Sequence, residues 1–193
     1  MGYDATKTSY WAATGSTIYS STSLPTFTAV PDPGVGSDLI NGLFVDSTNG
    51  VVFIATKTRG VFFTKDGGAT WTRILAETPQ GSSNPASFLT VAGPVDVSAV
   101  PPNDKYHVGS DGTNSLGFGY YTLSLSASTL TRFPDTTILL YSSSVSRILV
   151  DTTSTPGFVN VLLGTNFNGL WRGVFDPTTG QILSGTNLYW IHE

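Results

Sequence analysis

With 193 residues, a formal net charge of −4 and no cysteine, the chain is long enough to bury one substantial core and has neither a disulfide framework nor a thiolate metal site. Charged residues supply only 11% of it, against roughly a quarter in an average globular domain, while Ser and Thr together supply about a quarter. Nine Lys and Arg spread thinly, with no cationic stripe, argue against nucleic acid as a partner, and no apolar run reaches the roughly 20 residues of a bilayer span, which argues against membrane insertion.

Solubility then rests on hydroxyls, amides and exposed backbone, a chemistry suited to an extracellular or virion surface. Met1 to Ser9 lead into no apolar segment, so no secretory signal is expected there.

Apolar segments of four to seven residues alternate with Gly- and Pro-rich turns, and no stretch of 12 residues keeps a 3.6 period, so the chain reads as all-β. A first unit near 1–36 carries Trp11-Ala12-Ala13-Thr14 and a second strand over Ser16 to Ser20. After a turn-rich connection from Pro31 to Ser37, a unit near 37–90 begins with Gly42-Leu43-Phe44-Val45, turns at Asn49-Gly50, where both residues accept positive φ, and continues as Phe53-Ile54-Ala55-Thr56 and Gly60 to Thr64. Thr78 to Ala86 forms the next connection. A third unit near 91–143 holds Val95 to Val100, His107-Val108-Gly109-Ser110 and Phe118 to Leu125. The last, near 144–193, holds Ile148 to Asp151, Leu162-Leu163-Gly164-Thr165 and Gly169 to Phe175.

The recurring segment ends each time in a small residue and a hydroxyl, at spacings of 42, 54 and 55 residues, close to the 40 to 50 residues of a four-stranded propeller blade. Ala13, Ala55, Gly109 and Gly164 would let an inner strand approach a crowded axis. The expected fold is thus a single all-β domain over 1–193, a β-propeller or partial propeller of about four blade-like units of short antiparallel strands. A β-sandwich is the alternative.

Thr64-Lys65-Asp66-Gly67-Gly68-Ala69-Thr70-Trp71 matches the Asp-box pattern of a hydroxyl residue, any residue, Asp, any residue, Gly, any residue, Thr, Trp. The longer string Gly60 to Ile74 resembles repeat units of the Asp-box (BNR-like) β-propellers, in sialidase-like, sortilin-like, xyloglucanase-like and photosystem-assembly-factor-like forms. Locally, Asp66 is placed to accept amide hydrogen bonds across the turn and Trp71 to pack beneath the hairpin. The resemblance implies a structural role for Thr64, Asp66, Gly68, Thr70 and Trp71, away from any substrate face. The first unit is degenerate: Tyr19 to Phe27 aligns with Phe63 to Trp71 but has Thr22 for the Asp and Leu24 for the Gly. Asp-box propellers commonly have six or more blades, so about four units imply a compact form or part of a larger ring, with open sheet edges that invite association.

A sialidase-like site is not assembled by Arg59, Arg73, Arg132, Arg147 and Arg172 with only Glu77 and Glu193 as glutamates. Hydrolysis needs two facing carboxylates. Asp46, Asp96, Asp104, Asp111 and Asp151 are the candidates, with Asp46 and Asp151 better read as turn formers. His107 and His192 make no metal site, Asp111-Gly112-Thr113-Asn114 lacks calcium-loop spacing, and no catalytic residue, cofactor or metal is expected. Carbohydrate recognition needs aromatic platforms, for which Trp11, Tyr121, Trp171 and Trp190 are the candidates, although such rings more often seal contacts between units. The leading expectation is a non-enzymatic structural or adhesion module of a virion or extracellular assembly, partnered by protein subunits of that assembly or by copies of itself, and by glycans. The alternative is a carbohydrate-binding module or a fragment of a glycoside hydrolase.

Overall fold

The computed structural model describes residues 1–74, 87–94, 104–111, 119–132, 144–153, 157–166, 169–180, 182–183 and 190–192. Among them, strands consecutive in the chain form four antiparallel sheets of four strands each. The first sheet contains β1 (Gly2–Asp4), β2 (Ser9–Thr14), β3 (Thr17–Ser21) and β4 (Thr28–Ala29). The second contains β5 (Ile40–Asp46), β6 (Val51–Thr56), β7 (Val61–Thr64) and β8 (Thr72–Ile74). β9 (Phe88–Ala92), β10 (Lys105–Ser110), β11 (Tyr120–Ser124) and β12 (Thr129–Arg132) make the third. The fourth is β13 (Val145–Asp151), β14 (Val159–Thr165), β15 (Leu170–Phe175) and β16 (Ile191–His192).

Short turns explain why neighbours in sequence pair. Between β5 and β6, Asp46 accepts from the backbone N–H of Thr48 at 3.0 Å and of Asn49 at 3.2 Å, and the Asn49 amide donates to its second oxygen at 2.6 Å. A carboxylate that caps its own turn in this way offers the backbone an alternative to extending the strand. Asp4 does the same for Thr6 at 2.9 Å between β1 and β2, and Asp151 for Thr153 at 2.8 Å after β13. Asp46 and Asp151 are therefore turn formers, and Asp4 is a third of the same kind that its sequence context did not single out.

The sheets pack in chain order. Every residue of β6 is buried: Val52 and Ile54, with Phe62, join Trp11 and Ile18 of the first sheet, while Val51, Phe53 and Ala55 join Tyr106, Val108, Tyr121 and Leu123 of the third. The third sheet turns Tyr120 the other way, onto Val145, Val161, Leu163, Trp171 and Phe175 of the fourth. The second and third sheets are thus covered on both faces, which is why β6 and β7 read as unbroken apolar runs. Each large side chain so buried contributes about 1.5–3 kcal/mol. The first and fourth sheets bury one face each, and β2 and β15 accordingly alternate.

Between sheets, the first strands lie against one another, β1 against β5, β5 against β9 and β9 against β13, and the second strands β2, β6 and β10 also lie against β5, β9 and β13. The recurring small-residue segment occupies the second strands β2, β6, β10 and β14, of which the first three take part in these junctions. The demand for small residues falls partly elsewhere. A Cβ at Gly42 in β5 would stand 2.5 Å from the Leu89 carbonyl oxygen, and one at Gly109 in β10 only 2.3 Å from that of Val145. Gly109 meets the expectation of a close approach, whereas Gly164 faces nothing nearer than the Arg147 side chain at 3.4 Å.

Asp96, Glu77, Glu193 and Asn114, weighed above for chemistry, lie outside the described residues.

Candidate functional site

The turn from Thr64 to Trp71 joins β7 to β8 and is held by its own polar side chains. Thr70 donates its N–H to Asp66 Oδ1 at 2.9 Å and its hydroxyl to Oδ2, and the Thr64 hydroxyl donates to Oδ1 at 2.7 Å. These bonds, those from Thr70 first, hold the Asp66 carboxyl down at about 2 although it is exposed. The Thr64 oxygen in turn accepts from the Gly68 N–H at 3.0 Å. Gly68 and Trp71 press on the neighbouring sheet: the Trp71 ring meets Trp11 edge to face at 6.2 Å and 84°, and a Cβ on Gly68 would come within 3.1 Å of the Trp11 ring.

Beside this turn, between the first and second sheets, opens a recess of about 510 Å³. Ser9 and Trp11 of β2, Ser20 and Ser21 of β3 and Thr28 of β4 form one wall, the β3–β4 turn residues Thr22, Ser23 and Thr26 its rim, and Lys7 and Gly67 the opposite side. The rim is the degenerate counterpart of the Thr64–Trp71 turn. Ser21 braces it locally, donating to the Ser23 carbonyl at 2.7 Å and accepting from the Ser23 N–H at 3.0 Å. Trp11 donates its indole N–H to Ser9 at 3.0 Å, and Lys7 donates to the Gly50 carbonyl at 2.8 Å while pairing with Asp4 at 3.5 Å. The lining is rich in hydroxyls, each both donor and acceptor, and among the described residues holds no carboxylate. Such a surface can bind a polyhydroxylated molecule but does not by itself supply the acid and base of glycoside hydrolysis.

Of the aromatic candidates, Trp11 lines this recess; the others do not. Tyr121 packs against Phe88 at 5.4 Å between the second and third sheets, while Trp171 and Trp190 join the cluster between the third and fourth. All four are 1–3% exposed, so none offers an open ring face of the kind a sugar stacks on. Apolar rings in a β-rich chain are worth more between sheets than in water, and that packing has consumed them.

Three of the carboxylate candidates are also spent locally, whereas Asp111 keeps a buried Oδ1 without a hydrogen-bond partner among the described residues. Asp104 accepts from the Ser126 N–H at 2.7 Å and the Ser124 hydroxyl at 2.9 Å, in addition to the turn roles of Asp46 and Asp151. No group of three His, Asp or Glu fit to hold a metal occurs among the described residues. His107 is fully buried, its Nδ1 hydrogen-bonded to the Tyr120 hydroxyl and its ring edge-on to Phe175 at 4.9 Å; burial pushes its pKa down to about 3, so it is neutral, as a core histidine should be.

The recess residues escaped sequence reasoning because serine and threonine carry no spacing signature. The run Ser20-Ser21-Thr22-Ser23 was the available signal.

The sequence matches no protein-family model and no curated protein. Solved structures with a similar fold include the extracellular domain of a B. thetaiotaomicron protein described as a one-component system, with 14% identity and a TM-score of 0.59 over 91% of this chain and 20% of that one. A GH74 enzyme from Niastella koreensis aligns over 86% of this chain and 25% of its own, with 21% identity and a TM-score of 0.52. The GH74 xyloglucanase from Xanthomonas campestris aligns over 86% and 26%, with 15% identity and a TM-score of 0.50. The chain therefore spans only a fifth to a quarter of the length of these structures. They are two GH74 enzymes and the extracellular domain of a one-component system, which overturns the expectation of a virion or adhesion module.

Proposed function

We propose that this chain is a carbohydrate-binding portion of an extracellular β-propeller, its four sheets serving as blades, with the recess between the first and second sheets as the binding site. The observation that carries the reading is the lining of that recess by hydroxyls from three strands and a turn around Trp11. Its volume of about 510 Å³ suits an oligosaccharide segment, since small-molecule sites commonly enclose 300–1,000 Å³. A neutral glycan matches it better than an anionic one, because the Lys7 ammonium is already bonded to Gly50 and Asp4. Likeness to GH74 enzymes, one of them a xyloglucanase, supports a plant-type β-glucan as the first ligand to try. Binding is favoured over hydrolysis because the described residues of the lining include no Asp or Glu. The Thr64–Trp71 turn then acts as the brace that seats Trp11, and the single domain with units near 1–36, 37–90, 91–143 and 144–193 follows the blade reading once the boundary at 90 is moved ahead of β9, which pairs with the third sheet.

The test is a glycan array followed by calorimetry with xyloglucan oligosaccharides on the purified chain. Saturable binding that weakens at least tenfold in the double variant Thr22→Val, Thr28→Val, with an unchanged melting curve, supports the site. Absence of any binding glycan, or binding indifferent to both substitutions, refutes it.

A further inference from the structure

Each internal junction joins one face of a sheet to a face of the next, so among the described residues two faces are left uncovered by another sheet: the far side of the first and the far side of the fourth. On the fourth, the cross-strand register aligns Leu149, Leu162, Arg172 and Ile191 in one row, with Leu170 paired to Gly164 in the next. Leu149 is 61% exposed, and Leu170 and Ile191 are both above 40%. On the first sheet, Tyr3 pairs with Tyr10 and their rings lie 4.8 Å apart, while Ala12 pairs with Tyr19 and Tyr19 with Ala29.

We propose that the far face of the fourth sheet docks head to tail on the far face of the first sheet in a second copy of this chain, so that two copies close one continuous array of sheets. Three observations favour this occupant. The contact continues the established junctions, in which a sheet with one apolar face covers the next. The two faces are complementary: one offers leucines and isoleucine with Arg147 and Arg172 on the same side, the other a tyrosine cluster and small alanines, and arginine stacks well on tyrosine. Finally, a contact between unlike faces of identical chains must either close or propagate, and the similar solved structures carry far more chain than these four sheets.

The junction is independent of the glycan site, which lies on the opposite side of the first sheet, so mass and sugar binding succeed or fail separately. The experiment is sedimentation velocity with light scattering on the full chain across a concentration series. The expected mass is twice the single-chain 20.4 kDa. Leu149→Glu, on one face, and Tyr3→Glu, on the other, should each raise the dissociation constant at least tenfold, and Leu170→Glu repeats the first with a different exposed side chain should Leu149→Glu melt early. A single-chain mass for the unaltered protein overturns the proposal. So does open-ended growth with concentration, or a pair that Leu149→Glu disrupts but Tyr3→Glu leaves intact, because that pattern joins like faces.

Discussion

Replacing Tyr106 by phenylalanine removes one oxygen from the middle of the molecule and nothing else. That hydroxyl donates to Asp46 Oδ2 at 2.7 Å, joining a strand of the third sheet to the β5–β6 turn of the second across 60 residues of chain. Both groups are buried, Tyr106 at 0% and Asp46 at 4% exposure, so water does not replace the lost donor. A hydrogen bond to a charged group contributes about 1.5–3 kcal/mol, and Asp46 keeps its bonds to Thr48 and Asn49, so Tyr106→Phe should cost about that range and no more. For a chain of this length each kcal/mol moves the melting temperature by roughly 2–4 °C, so the expected drop is about 3–12 °C. Asp46→Ala should cost more, because it also frees the turn amides. Since the two side chains share one bond, the double variant should be less destabilised than the sum by about 1–3 kcal/mol. Urea unfolding of the four proteins measures this. A Tyr106→Phe variant within about 0.5 kcal/mol of the parent, or strict additivity with Asp46→Ala, would refute the argument that this bond ties the two middle sheets together.

Asp66 titrates near 2 in the folded chain, below its usual value of 3.8, so its contribution to stability is complete above about pH 4 and fades as pH falls through 2. Thermal melts from pH 5 to 2 should therefore show a smaller acid-side loss in Asp66→Asn than in the parent, and parallel curves would contradict the role given to the Thr64 and Thr70 bonds. Gly42→Ala should destabilise by about 1–3 kcal/mol, because its Cβ meets a backbone carbonyl that cannot rotate away; an unchanged denaturation midpoint would show that β5 and β9 do not sit as closely as described.

What was legible in the sequence was local. The Thr64–Trp71 turn is specified by side chains within a few residues of one another, so its hydrogen bonds follow from the string itself, and the same holds for Asp46 and Asp151 as turn formers; of Asn49-Gly50 only Gly50 takes positive φ, because Asn49 is held by Asp46 in a four-residue turn. The recurring segments lie in β2, β6, β10 and β14 because six or seven residues of apolar or alternating character suffice to mark a strand. Short strands such as β4 and β16 escaped, since two residues carry no period. The place of the small residues was less legible: whether Gly42 or Gly164 meets another sheet depends on strands distant in the chain. The aromatic residues were misjudged as ligand platforms for a related reason. Trp11, Tyr121, Trp171 and Trp190 look alike in a list of rings, and only the stacking order of the sheets decides which faces are covered. The recess was invisible because its walls combine β2, β3, β4 and a turn of another sheet, none of which announces itself by composition.

Coverage of β6 from two sides has a consequence for how the molecule comes apart. An amide in β6 is released only when both neighbours withdraw, whereas β2 and β15 need lose one. Deuterium uptake should accordingly begin in the outer layers and arrive last at Val52 to Ala55, so that the central pair of sheets outlasts the layers on either side of it.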